Sequence, residues 1–315
     1  MTCPVQHAIA ALLAAVTLVV TSGCSQGTVA DAASGHSDDP QVLVFAAAPS
    51  YRPATQQQSH QPILDMLAME TGKEIRFQTG TDYAAIIEGL LAGKIDIAEL
   101  GPFSYVLAKE RGAQITVAVA RVQEKGKALG YQSFGITQTG SSITSLADFR
   151  GKTVCFVDRD SASGYLYPSA GLLALGIDPE KDTTPRIAGR HDAAVLTVAS
   201  GECDAGFALD RMVDQQLIEQ GRLQPDQITT VWRSERIPSP PIVIADHLDP
   251  ELHRLLTTTL QNKANADYLR ANGFREGECA IADGFAYGYQ AADDADYDSV
   301  REICKMIQNQ SCTGG

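Results

Sequence analysis

The chain has 315 residues, 44% of them hydrophobic, and a formal net charge of −13 at pH 7. That length and apolar content support a substantial core and two domains. The acidic surplus, with no basic stripe to offset it, excludes nucleic acid as a partner. An anion bound by such a chain must be held by local dipoles and hydrogen bonds, not by a global positive field.

The first segment reads as targeting rather than fold. Ala8 to Val20 is apolar and too short for a membrane span. Thr21-Ser22-Gly23-Cys24 follows, small residues directly before a cysteine, which resembles a bacterial lipoprotein lipobox. Residues 1–23 are therefore expected to be a signal peptide, with lipid on Cys24. Met1 to Gln6 holds no Lys or Arg, and a plain cleaved signal peptide is the alternative. Residues 24–40, rich in Gly, Ala, Ser and Asp, read as a tether with nothing to fold. Acyl chains on Cys24 would hold the protein at a membrane surface. Cys155, Cys203, Cys279, Cys304 and Cys312 lie in the folded part. Export makes them disulfide candidates, and no Cys-x-x-Cys pair or His-Cys cluster speaks for zinc. No metal or cofactor is expected.

A regular β–α alternation begins at the strand Gln41 to Ala46. A helical stripe of Ile63, Leu64, Leu67 and Ala68 stops at Gly72, a good residue just past a helix end. Glu74 to Thr79 alternates as a strand, and Gly80-Thr81-Asp82-Tyr83 opens a helix closed by Gly93. Ile95 to Leu100 is a strand, Gly101-Pro102 opens a helix to Gly112, and Gln114 to Val122 is another apolar strand. Such alternation implies parallel strands with covering helices.

After Tyr131 to Thr137 and the polar stretch Ser141 to Arg150, the rhythm restarts at Thr153. Thr184 to Ala188, Asp204 to Ala208 and Ile228 to Ser234 read as strands, with a helix from Gly189-Arg190-His191-Asp192 to Ser200. Pro238, Pro240 and Pro241 interrupt before a crossing strand, Ile242 to Ala245, and a long helix through Leu252, Leu255, Leu256 and Leu260. The expected fold is two doubly wound α/β lobes. Residues 41–135 and 243–315 would form a discontinuous lobe 1 and 136–242 lobe 2, with hinges near Ser133–Thr139 and Pro238–Ala245. Cys155 lies in a central strand and Cys203 starts a plausible parallel neighbour, so a Cys155–Cys203 disulfide is expected. Cys304 is expected to pair with Cys279 or Cys312.

The stretch that organises the chain is Thr153 to Pro168, T-V-C-F-V-D-R-D-S-A-S-G-Y-L-Y-P. A buried strand runs into Ser161-Ala162-Ser163-Gly164 and then a helix with Leu166, Ala170 and Leu173 on one face. Small residues at a strand-to-helix turn let backbone approach a ligand, and first-turn amides lack intrahelical partners. With two hydroxyls and the positive end of the helix dipole, they suit a tetrahedral oxyanion. Pro168 comes late for a first-turn proline, so the helix kinks or restarts there. An isolated S-x-S-G would more often be only a helix cap. Ligands of doubly wound sheets sit outside the carboxyl ends of the strands. Asp82-Tyr83, Ser161 to Gly164 and His191-Asp192 all fall there.

Five motifs carry a family resemblance: D-Y-A-A-I-I-E-G-L at Asp82, D-I-A-E-L-G-P-F-S-Y at Asp96, S-L-A-D-F-R-G-K-T-V at Ser145, D-S-A-S-G-Y-L-Y-P at Asp160 and A-G-R-H-D-A-A at Ala188. In this order, from about Gln41 to about Phe274, the chain resembles the substrate-binding proteins of phosphate, phosphonate and phosphite ABC importers, of the type II periplasmic-binding-protein fold. The resemblance implies that the amides of Ser161, Ala162 and Ser163 and the hydroxyls of Ser161 and Ser163 hold the oxyanion. Tyr83 would add its phenol from the opposite lobe and His191 an imidazole N–H. Asp192 would accept a hydrogen bond from a protonated ligand oxygen, which disfavours sulfate. Ala162 stands where many relatives carry Thr, Leu100 where some carry an aromatic, and Arg190 is an extra residue. Arg211 and Pro240 align where binders of aminoalkyl phosphonates place carboxylates.

These features imply a small ligand: phosphate, phosphite or methylphosphonate ahead of aminoethylphosphonate. The chain is thus expected to be a monomeric, lipid-anchored binding protein outside the cell membrane, not an enzyme. It would deliver its small oxyanion to an ABC importer permease. The alternatives are a binding lipoprotein for another organic anion, such as a sulfonate, or a secreted hydrolase using Ser163, His191 and Asp192. The hydrolase lacks a G-x-S-x-G elbow, and adjacent His and Asp do not readily form the orienting relay.

Overall fold

The computed structural model describes residues 38–50, 52–274 and 286–307. The expected targeting segment, Cys24 and the tether up to residue 37 lie outside them, as do Cys279 and Cys312. No helix among the described residues is long and apolar enough to cross a membrane.

The elements follow in chain order: β1 (Val42–Ala47), α1 (Pro53–Thr71), β2 (Glu74–Thr79), α2 (Tyr83–Leu91), β3 (Ile97–Glu99), α3 (Pro102–Glu110) and β4 (Ile115–Val122). Then come β5 (Ser133–Gln138), β6 (Thr153–Phe156), α4 (Tyr167–Ala174), β7 (Thr184–Ile187), α5 (His191–Ala199), β8 (Ala205–Leu209), β9 (Ile228–Arg233), β10 (Pro241–Ala245) and β11 (Gly288–Ala291). Gly72 ends α1 at φ 68°, a left-handed value that a residue with a Cβ adopts only at a cost.

Two sheets form, ordered β11-β4-β10-β3-β1-β2 and β7-β6-β8-β5-β9. β1, β2 and β3 are parallel, as are β6, β7 and β8. Neither sheet is purely parallel, which departs from the reading of simple alternation. β10 lies antiparallel between β3 and β4, and β5 antiparallel between β8 and β9. Each is the first strand after the chain crosses from one sheet to the other, and arrives without a crossover helix of its own to reverse its direction.

The crossings are where the chain differs most from expectation. Ser133–Gln138 is a central strand rather than a hinge, and Pro241–Ala245 belongs wholly to the first sheet. The chain passes between sheets over residues 123–132 and 234–240. These two segments run side by side, tied by Tyr131 and Ile237, which exchange backbone hydrogen bonds of 3.0 and 2.8 Å. The Gly130 amide donates to the Ser239 hydroxyl at 2.7 Å.

Cys155 and Cys203 are disulfide-bonded, with Cα atoms 5.9 Å apart and a sequence separation of 48. β6 and β8 are parallel neighbours, which brings the pair together. Cys304 is disulfide-bonded too, and the choice between Cys279 and Cys312 falls outside the described residues. Replacing Cys155 and Cys203 together by alanine is expected to lower stability by about 2–4 kcal/mol, because the open chain gains entropy when unfolded. The urea midpoint reports this, and an unchanged midpoint would show that the bridge adds nothing to the packed sheet.

Candidate functional site

The strand β6 leads through Asp158 and Asp160 into a wide helical turn, Ala162–Leu166, before α4 begins. Leu166 N–H reaches back to the Ser161 carbonyl at 3.0 Å, a five-residue step that opens the turn beyond α-helical width. The helix restarts at Tyr167, with Pro168 in the first turn of α4 where no N–H is needed. The new start resets the helical phase: Leu172 is buried, while Leu173, expected inward, is 40% exposed.

Within the turn the donors sort themselves. The Ser161 amide, expected to meet the ligand, is already bonded to the Asp158 carbonyl at 3.0 Å. Ser161 Oγ accepts from Gly164 N–H at 3.0 Å, which leaves its own hydrogen to donate. Among the described residues, no acceptor is placed against the amides of Ala162 and Ser163. The Ser163 hydroxyl, the other expected contact, points elsewhere. It is buried near the Tyr131 phenol with no hydrogen-bond partner of good geometry, while the Ser163 carbonyl accepts from Ser133 Oγ at 2.6 Å.

Ser161 and Ala162 of this turn border a cavity of about 50 Å³ between the two sheets. Its walls include Ser161, Ala162, His191 and Leu209 on one side and Ala48, Gln56, Tyr83, Glu99, Leu100 and Arg121 on the other. Tyr131, Ser239 and Pro240 of the crossing segments also line it. At about 12 Å³ of such space per water, the cavity holds roughly four waters' worth, the scale of a compact ion. Both sides touch: Ser104 Oγ donates to the Asp160 carbonyl at 2.9 Å, and the Tyr83 amide donates to the Asp158 carboxylate. Burial, and then the neighbouring Asp158 carboxylate, push the Asp160 carboxyl up to about 6.

His191 opens α5 and is 4% exposed. Its Nδ1 accepts from the Leu209 amide at 3.2 Å, which assigns the ring proton to Nε2. Burial pulls its pKa down to about 3, so the ring is a neutral donor. Asp192 does not line the cavity. It is fully buried, with one oxygen on Arg190 at 3.1 Å and the other on Arg222 at 3.0 Å. Its place away from the cavity lends no support to its expected role toward the ligand, and Arg190 is accounted for by the same pair. The relay of a Ser163–His191–Asp192 hydrolase is likewise committed elsewhere: Nδ1 to Leu209, the carboxylate to two arginines.

The sequence reading missed a polar network on the opposite wall. Glu99, 3% exposed, accepts at Oε1 from Arg121 Nε and Nη2 at 2.9 and 2.7 Å and from the Tyr289 hydroxyl at 2.9 Å. Its Oε2 lies 2.7 Å from His60 Nε2, and His60 Nδ1 lies 2.7 Å from the Gln56 carbonyl. Both ring nitrogens of His60 therefore face oxygen acceptors, an arrangement that the imidazolium satisfies. Burial would raise the Glu99 carboxyl, but Arg121 and His60 outweigh it and hold the pKa well below the usual carboxylate range. A cation thus does line the cavity, contrary to the expectation of dipoles and hydrogen bonds alone. The signal was available: Glu99 and Arg121 each interrupt an apolar strand, and a charge there requires a partner.

Two α/β units joined by paired crossings, with a small donor-lined cavity at their strand ends, define a bilobal solute-binding protein of the type II periplasmic kind. A binding-protein component of an ABC phosphonate transporter from Pseudomonas aeruginosa is similar in structure, with TM-score 0.73 and 25% identity over 85% of this chain and 86% of that one. A second similar structure, 19% identical, is PhnD1 from Prochlorococcus marinus in complex with methylphosphonate, with TM-score 0.73 over 86% of this chain and 99% of that one.

The family model for periplasmic substrate-binding proteins of phosphonate ABC transporters matches residues 45–297, and the chain belongs to that family. It is 39% identical to the phosphate-import protein PhnD of Mycolicibacterium smegmatis over 98% of both chains. It is thus a substrate-binding component of an ABC importer, working outside the cytoplasm on a small molecule.

Proposed function

We propose that the cavity captures a single small phosphorus oxyanion, with inorganic phosphate first, and that the two α/β units close on it by hinging at the paired crossings. The observation that carries this reading is the convergence of donors on so small a space. The free amide of Ala162, the Ser161 hydroxyl and His191 Nε2–H belong to residues that border it, with the free Ser163 amide next in the same turn and Arg121 opposite. An oxyanion taken from water must regain its lost hydration from fixed donors, and this wall supplies them without reorganisation. The phenol of Tyr83 completes the shell. Phosphate is favoured over larger phosphonates by the cavity volume and by the relative named for phosphate import. In this reading a lipid on Cys24 keeps the monomer at the extracytoplasmic face of the cell membrane beside its permease.

Calorimetry against phosphate, phosphite, methylphosphonate, aminoethylphosphonate and sulfate tests the ligand. His191→Ala and Ser161→Ala are each expected to weaken phosphate binding by about one to two decades, since a hydrogen bond to a charged group contributes roughly 1.5–3 kcal/mol. If both variants bind every oxyanion like the wild type, the anion sits elsewhere.

A further inference from the structure

The cavity wall facing the Ser161 turn carries a hydrogen-bond acceptor with nothing to accept. Gln56 belongs to α1, lines the cavity and is 1% exposed. Its Nε2 donates to the Ala48 carbonyl at 2.6 Å. That bond assigns the amide's orientation, because a flipped amide would set two oxygens against each other. The remaining atom, Oε1, is buried and has no hydrogen-bond partner. The side chain is also held in place from behind, since the Gln56 carbonyl meets His60 Nδ1 at 2.7 Å.

The neighbouring carboxylates do not compete for the role. Glu99 already takes Arg121, Tyr289 and His60, and Asp192 takes two arginines. A buried acceptor without a donor is costly, and in a binding site the ligand is the natural source of the missing donor. The donors proposed above leave a bound anion's other oxygens well served, whereas an oxygen without a hydrogen would be repelled by Oε1. The polarity of the site therefore asks for a ligand that is acceptor on one side and donor on the other.

We propose that Gln56 Oε1 accepts the hydrogen of a ligand P–OH group, so that the cavity selects the hydrogen-bearing form of a phosphorus oxyanion. It discriminates against tetrahedral ions of the same charge that have no O–H. This inference rests on the phosphorus-oxyanion reading and names the residue that sets its specificity.

Monofluorophosphate is the direct probe, because its dianion replaces the O–H of hydrogen phosphate by fluorine at nearly the same shape and charge. Titration calorimetry at a pH where both are dianions is expected to show hydrogen phosphate bound about 10- to 100-fold more tightly by the wild type. Sulfate should fall with fluorophosphate. In Gln56→Leu the gap should close to within about threefold, through weaker phosphate binding while fluorophosphate is unchanged or tighter. Equal affinity of the wild type for the two dianions overturns the proposal, and does so even if the variant fails to fold. A Gln56→Leu protein that keeps the full preference overturns it too. If the wild type binds neither anion nor any phosphonate, the failure lies instead in the phosphorus-oxyanion reading, and this inference falls with it.

Discussion

Glu99→Ala is expected to lower the free energy of unfolding by about 3–5 kcal/mol, the usual cost of removing one partner from a buried ion pair. Against a typical net stability of about 5–15 kcal/mol, that is a large fraction. Four hydrogen-bond donors converge on this carboxylate from three elements: two from Arg121 in β4, one from His60 in α1 and one from Tyr289 in β11. Truncation removes from inside an apolar sheet the carboxylate that these donors share. Chemical denaturation of the wild type and variant at neutral pH measures the difference. A variant as stable as the wild type would show that the network serves only the ligand.

The same residue sets a sign for acid unfolding. Its folded pKa lies below the ordinary 4.5, so the ionised form contributes stability above that value. That contribution is lost as pH falls from about 4.5 toward the depressed folded value. Glu99→Gln should therefore be less stable than the wild type near neutrality, yet flatter with pH across the acid range. A steeper profile in the variant would contradict the assignment of Glu99 as an ionised acceptor.

Much of the architecture can be read from patterns that are local. β2 falls on Glu74 to Thr79 as the alternation requires, and Gly72 stops α1 because it alone tolerates the left-handed turn. The Cys155–Cys203 bridge is not local in sequence, yet it follows from the β–α rhythm, which suggests the parallel neighbours β6 and β8. What escaped was non-local. Arg222 lies thirty residues from Asp192, and no spacing rule links them, so the carboxylate looked free when it is not. The widened turn was invisible too, and it alone decides that Ser163 sends its hydroxyl toward Tyr131 while its amide stays available. Gln56 sits in a polar helical run, Thr55-Gln56-Gln57-Gln58, in which nothing distinguishes the one buried glutamine. β11 lies in the stretch after Phe274 that no motif covered, yet it completes the first sheet beside β4.

Gly164→Ala is expected to abolish anion binding, by at least about two decades, while leaving the protein folded. A Cβ at this position would stand 2.3 Å from Val157 Cβ, 2.6 Å from Val157 Cγ2 and 2.8 Å from Ser161 Oγ. Val157 is buried directly after β6 and cannot retreat, because its amide is bonded to the Gly164 carbonyl at 3.1 Å. The turn must therefore move away from the strand, and overpacking of this kind costs roughly 1–3 kcal/mol. Much more follows for binding. The displaced turn carries the Ala162 and Ser163 amides, and the methyl crowds the Ser161 hydroxyl that caps Gly164 N–H. Hydrogen bonds to a charged group contribute roughly 1.5–3 kcal/mol each and need donors within a few tenths of an ångström, so losing two exceeds a hundredfold. Calorimetry for phosphate and a melting curve on the same sample separate the two effects. A Gly164→Ala protein that melts a few degrees lower but binds phosphate at wild-type affinity would show that this turn does not cradle the anion.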